Sequence, residues 1–121
     1  MRPAVFIALF IFIQAACADI FDDGFTAYKS QDYETALALL RPLSEQGDID
    51  AQYILGVMYY LGQGVSADYV QAYAWMYLAS AQGHKNAFLV RERIAAKLTP
   101  EQIPMAKKLA QEWIAKNKQA E

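Results

Sequence analysis

The amino-acid sequence predicts an all-α fold, a short α-solenoid of three antiparallel helical hairpins, and three observations carry that expectation. Residues recur at a fixed separation of 36: Asp32-Tyr33 with Ala36 return as Asp68-Tyr69 with Ala72, and Ser44, Gln46, Gly47 and Ala51 return as Ser80, Gln82, Gly83 and Ala87. A unit of that length is one helix–turn–helix, too small to bury its own apolar face, so it must stack on a neighbour. Apolar residues also follow a helical period, and the interruptions contain Gly, Asp or Pro, which cap or end helices.

The first helix is expected from about Ile20 to Ser30, with Gln31-Asp32 making a tight turn. The second runs from about Tyr33 to Gln46 and stops at Gly47, a residue suited to a left-handed C-terminal cap. Pro42 lies inside it and is expected to bend it. The third covers about Ile49 to Leu61 and ends at Gly62-Gln63-Gly64, where two glycines admit positive φ angles. The fourth begins after Asp68, a good N-cap, and ends at Gly83; the fifth spans about Asn86 to Lys97. The last opens on Thr99-Pro100-Glu101-Gln102, which puts a Thr at the N-cap, a Pro at N1 and a Gln at N3. Behind that start, Met105, Leu109, Trp113 and Ile114 form an apolar stripe.

The residues ahead of the first helix differ in character. Arg2 gives a positive start, Ala4 to Ile13 is an unbroken apolar run, and Ala16-Cys17-Ala18 supplies the small residues that signal peptidase needs. Residues 1–18 therefore read as a signal peptide cleaved before Asp19, and the apolar run, ten residues long, falls short of the roughly 20 that span a bilayer. Cys17 also resembles the cysteine at which bacterial lipoproteins are acylated, although Gln14 stands where that motif has Leu or a similar aliphatic. Plain cleavage leaves a mature chain with no cysteine, hence no disulfide and no thiol chemistry. Either route gives an exported protein, periplasmic or envelope-associated, that touches a membrane only through a lipid on Cys17.

A chain of 121 residues has room for one small domain, here residues 19–121. Its composition, 55% hydrophobic and 20% charged, is that of a globular chain. Residues 19–68 carry nine acids against Lys29 and Arg41, a net −7, whereas residues 69–121 carry eight bases against four acids, a net +4. Such polarity orients a charged partner or favours head-to-tail self-contact in a homo-oligomer. Lysines scattered over an acidic chain make no stripe that tracks phosphates, which argues against nucleic acid.

Ala51, Leu55-Gly56, Tyr59, Gly62-x-Gly64-Val65, Asp68, Ala72, Trp75, Ala79, Gly83 and Ala87 together resemble the consensus of Sel1-like repeats, a subclass of the tetratricopeptide-like helical repeats. Residues 48–83 form the full Sel1-like unit. Residues 19–47, with Gly24-Phe25-Thr26-Ala27-Tyr28 and then Asp32-Tyr33 and Ala36, resemble an ordinary tetratricopeptide unit: Gly24 and Ala36 are 12 residues apart, against 16 from Gly56 to Ala72. Residues 84–121 lack the glycines and resemble a capping hairpin, expected to turn a more polar outer face to solvent. The resemblance implies that the motif residues specify the hairpin, with Trp75 as a core or inter-repeat anchor, and that the protein binds other proteins rather than performing chemistry.

The residues themselves carry little chemistry. His84 is the one histidine; it follows Gly83 in an inter-repeat turn and reads as a solvated loop residue, with no acids or cysteines spaced to complete a metal site. Gly62-x-Gly64 lacks the strand and the Lys of a phosphate-binding loop, and no cofactor motif is present. Some cysteine-rich secreted Sel1-like proteins are linked with penicillin-like compounds, so a small cell-wall-related or β-lactam hydrolase is one alternative. The regularly spaced cysteines of those proteins are missing, as is a serine followed three residues later by a lysine. A self-associating structural subunit is the other alternative to a non-catalytic interaction adaptor.

Residues about 180° from the core face of the first helix of each hairpin would line the concave surface. These are Tyr53, Val57 and Tyr60 on the third helix, Phe21, Phe25 and Tyr28 on the first, and Leu89, Arg93 and Ala96 on the fifth. The row is aromatic at one end and basic at the other, with Lys97 nearby and Asp50 at the rim. An apolar strip of this kind is expected to dock a peptide or a partner helix, or else to pack on itself as concave core.

Overall fold

The computed structural model describes residues 17–120, with side-chain environments through residue 117. These residues form six helices and no strand: α1 (residues 17–29), α2 (Tyr33–Glu45), α3 (Ile49–Leu61), α4 (Tyr69–Ala81), α5 (Lys85–Ala95) and α6 (Gln102–Ala120). Most of the expected signal peptide lies outside them. Cys17 and Ala18 fall within α1, so the helix runs across the cleavage site expected before Asp19.

Each helix boundary has a local cause. The carboxylates of Asp32, Asp48 and Asp68 accept from the backbone N–H groups of Thr35 (3.3 Å), Ala51 (2.9 Å) and Gln71 (3.1 Å), each cap worth about 1 kcal/mol. α5 is capped by His84, whose Nδ1 accepts from the Ala87 N–H at 3.0 Å. That corrects the expectation of a solvated loop histidine: His84 is half-buried, starts a helix, and stands 36 residues after Asp48 in the same role.

The ends of α2 and α4 repeat as well. Asp48 donates to the Leu43 carbonyl and Gly47 to that of Ser44; His84 donates to Ala79 and Gly83 to Ser80, all at 3.0–3.1 Å, the paired bonds of a Schellman cap. α2 runs on through Pro42 as one helix. At the start of α6 the Thr99 N–H donates to Gln102 Oε1 (2.9 Å) while the Gln102 N–H donates to Thr99 Oγ1 (3.3 Å). The reciprocal cap forms as expected, with Pro100 and Glu101 in the turn ahead of the helix rather than inside it.

α4 is the centre of the packing. Residues 72–76, with Leu78 and Ala79, are buried on all sides of it, because α3, α5 and α6 all pack against it. A helix that is apolar around its whole circumference is stable only when enclosed. α5 and α6 dock on α4 rather than closely on each other, and Trp75 of α4 stacks on Trp113 of α6 with ring centroids 4.1 Å apart. A second cluster joins Leu40 and Leu43 of α2 to Ile54 and Met58 of α3, with Phe21, Ala27 and Tyr28 of α1 against it. Of the motif residues, Ala51, Leu55, Gly56, Tyr59, Ala72, Trp75, Ala79 and Ala87 are buried. Gly62, Gly64 and Gly83 are exposed and set turns, and Asp68 caps α4.

The loop between α3 and α4 ties the second hairpin to the first. Gly64 takes φ of 76°, and a Cβ on it would lie 2.9 Å from Tyr33 Cβ and 3.2 Å from the Tyr33 carbonyl oxygen. Neither neighbour is free to yield, so the loop can lie on the start of α2 only with glycine here. Beside it, the Tyr28 hydroxyl donates to Gln63 Oε1 (2.9 Å) and Gln63 Nε2 donates to the Tyr33 hydroxyl (3.2 Å). At the other end of the stack, Phe88, Leu89, Met105 and Ile114 are exposed. The same two helices also expose Lys85, Asn86, Arg93, Lys107, Lys108, Gln111, Glu112 and Lys116.

Candidate interaction surface

Several of the outward residues of α1, α3 and α5 come together. Phe25 and Tyr28 of α1 meet Tyr53, Ile54 and Val57 of α3 around a cavity of about 190 Å³. Phe21 stacks on Phe25 at 5.9 Å, and Lys29 Nζ lies 4.8 Å from the centre of the Phe25 ring. The edge between α3 and α5 is pinned at both ends. Near their N-termini the Tyr53 ring stacks on His84 at 4.4 Å, with Asp50 Oδ1 3.7 Å from His84 Nε2. Near their C-termini Tyr60 packs on Tyr69 at 5.7 Å, and Lys97 Nζ sits 5.7 Å from the Tyr69 ring.

The two expectations for the row divide it. Tyr28, Tyr53, Val57 and Tyr60 are half-buried, and all but Tyr60 line the cavity. Phe25 is 37% exposed and Leu89 57%; Leu89 lies with His84, Lys85 and Phe88 around a shallow depression. Arg93 and Ala96 are exposed, and neither Arg93 nor Lys97 has a carboxylate partner among the described residues. Phe21 is half-buried beside Phe25. The strip thus offers an apolar recess at the α1–α3 edge and two cations without a carboxylate partner among the described residues, Arg93 on α5 and Lys97 just beyond its end.

Burial pushes the Tyr28 hydroxyl above the ordinary tyrosine range; its bond to Gln63 opposes the shift, while Tyr33 and Tyr53 add to it. Tyr28 is therefore a neutral donor held in place rather than a reactive group. Tyr73 on α4 is raised too, by burial first, with Arg91 opposing and Glu92 and Tyr77 adding. Among the described residues no three His, Cys, Asp or Glu side chains gather as metal ligands, and no helix is long and apolar enough to cross a membrane.

Two residues at this surface escape sequence reasoning. For His84 the period itself carries the missing signal, since it occupies the repeat position of Asp48. Gln63 had no signal, because a polar loop residue between glycines says nothing of the two tyrosines it joins.

Stacked helical hairpins, each held by small residues at its crossings, define a repeat protein of the α-solenoid class. The Sel1 repeat family model matches residues 13–48 and 49–84, two abutting units of the 36-residue period, and the chain belongs to the Sel1 repeat family. The first match takes in the unit read as tetratricopeptide-like and begins ahead of Cys17. Among solved structures, the chain is similar to a protective antigen present in uropathogenic Escherichia coli strains displaying an SLR fold, with 35% identity and a TM-score of 0.77. The match covers 84% of this chain and 23% of that one, so the chain spans about a quarter of the antigen's length. No curated relative matches it. Sel1 repeats are in general protein-interaction modules, and their fold is typically a non-catalytic scaffold.

Proposed function

We propose that this protein is an interaction adaptor of the bacterial envelope, holding a peptide segment or helix of a protein partner on the strip formed by α1, α3 and α5. Phe21, Phe25, Tyr28, Tyr53, Val57, Tyr60, Leu89 and Arg93 are its contact residues. The observation that carries the reading is the recess between Phe25, Tyr28, Tyr53 and Val57, with Arg93 and Lys97 lacking carboxylate partners among the described residues. An apolar anchor in a recess flanked by complementary charge is how helical and extended peptides are held, so the segment bound here carries an apolar side chain and a nearby Asp or Glu.

Capture from envelope extracts tests this with wild type, a Phe25→Ser/Arg93→Glu variant and an Ile114→Ser control. The same protein recovered by wild type and control but lost by the double variant supports the strip; its retention by the double variant overturns it. Export rests on the signal-like residues 1–18 and is supported by the similarity to a bacterial antigen. Intact mass of protein made in a bacterial host distinguishes a chain starting at Asp19, one starting at an acylated Cys17, and the full chain; the last overturns export. A second reading, self-association, is favoured by the split of charge between residues 19–68, a net −7, and residues 69–121, a net +4. It predicts oligomers that dissociate with salt in light scattering, and a monomer at low salt contradicts it.

A further inference from the structure

Where α3 meets the start of α5, one side chain holds two positions that a single proton makes incompatible. His84 Nδ1 accepts from the Ala87 N–H at 3.0 Å, which requires a lone pair there and puts the one proton of the neutral ring on Nε2. Nε2 lies 3.7 Å from Asp50 Oδ1, too far for a good hydrogen bond. The other side-chain caps differ. Asp32, Asp48 and Asp68 cap through carboxylates, a group that ordinarily titrates near about pH 4, and the Thr99–Gln102 cap does not titrate. An imidazole ordinarily gains its proton between about pH 5 and 8. α5 is thus capped by an acceptor that mild acid can abolish.

We propose that His84 is a proton-operated switch, in which protonation releases the cap of α5 and turns the imidazolium onto Asp50 of α3. A proton on Nδ1 would face the Ala87 N–H, so that bond cannot survive, and the positive end of the helix dipole repels a cation at this position. The groups around the ring decide where it goes. Asp50 and the Tyr53 ring face it from α3, Lys85 follows it on α5, and α4 contributes Ser80, which does not titrate. Arg91, further along α5, is engaged by Ser80 and Glu92. The Asp50 side chain is 63% exposed and has no other ion-pair partner among the described residues, so it is free to follow the ring. α5 carries Leu89 and Arg93, so the release reaches the strip, but the switch does not depend on a partner binding there.

His84 is the one histidine of the chain, so its ring nitrogen signals in NMR spectra of the intact protein are unambiguous. Near neutral pH they are expected to show the Nε2–H tautomer, and between about pH 7.5 and 5.5 the Ala87 amide shift is expected to move in step with the ring's titration. Exchange of that amide, corrected for its intrinsic rate, should quicken roughly fivefold or more. The Ala51 and Gln71 amides, capped by Asp48 and Asp68, should keep their protection. His84→Asn, which caps without titrating, should abolish the Ala87 response. Asp50→Asn removes the charge that receives the ring and should lose more melting temperature than wild type on the same acidification. An Nδ1–H tautomer near neutral pH, an Ala87 amide indifferent to the ring's titration, or protection lost at Ala51 and Gln71 together with Ala87 overturns the switch. Equal losses in Asp50→Asn and wild type overturn the part assigned to Asp50.

Discussion

The two hairpins of the matched repeats are closed in different ways. α1 and α2 are joined across residues 30–32, where Gln31 takes a left-handed φ of 63°. α3 and α4 are joined across residues 62–68, and that longer loop reaches back to the first hairpin through Gly64 and Gln63. Its four extra residues are thus a stacking device: the loop carries the contact, and the tight turn before it, flanked by Tyr28 and Tyr33, receives it. Stability between repeats resides partly in a loop that a sequence alignment would treat as an insertion.

The heaviest blow to this contrast is Gly64→Val. It combines a β-branched side chain at positive φ with backbone contact at Tyr33, and is expected to cost about 2–4 kcal/mol in denaturant unfolding; a near-neutral result would mean the loop does not rest on α2. Gln63→Ala removes two hydrogen bonds and leaves two tyrosine hydroxyls to find other partners, for an expected loss of about 1–2 kcal/mol. His84→Ala should lose about 1 kcal/mol as a cap, whereas His84→Asp, which restores the residue of the preceding repeat, should retain most of it. Gln31→Gly runs the other way, relieving a side chain at left-handed φ, and should raise stability by about 0.5–1 kcal/mol.

The smallest effect is that of pH. Tyr28 and Tyr73 have raised pKa values in the folded protein, so above about pH 10 unfolded tyrosines lose their protons first and the folded state binds more. Their contribution is complete below that pH and is lost as pH rises through it. A Tyr73→Phe variant should show a shallower alkaline fall in melting temperature than wild type, and parallel curves would exclude this account.

Helix order, the N-cap at Asp68 and the Thr99–Gln102 cap were legible because they depend on residues three or four apart. The repeat pattern fixed which residues of α3 and α4 turn inward, since its small positions mark helix crossings, as at Gly56 against Met76. What lay beyond the sequence depends on contacts between repeats. Tyr53 was legible as an outward residue, but its stacking on a histidine 31 positions away required the stack itself. Nor was the exposure of Met105 and Ile114 legible, since both fit the apolar stripe of α6 on the helical period.

The central claim is a division of labour: inward motif residues hold the fold, and the strip of α1, α3 and α5 holds the partner. Leu55→Ala, at a fully buried motif position, should cost about 2–5 kcal/mol of stability while the protein that remains folded still binds. The most direct test is the equilibrium affinity of Phe25→Ser for the captured partner segment, measured well below the melting temperature of both proteins. The account predicts binding at least tenfold weaker than wild type with the melting temperature nearly unchanged; wild-type affinity would contradict it.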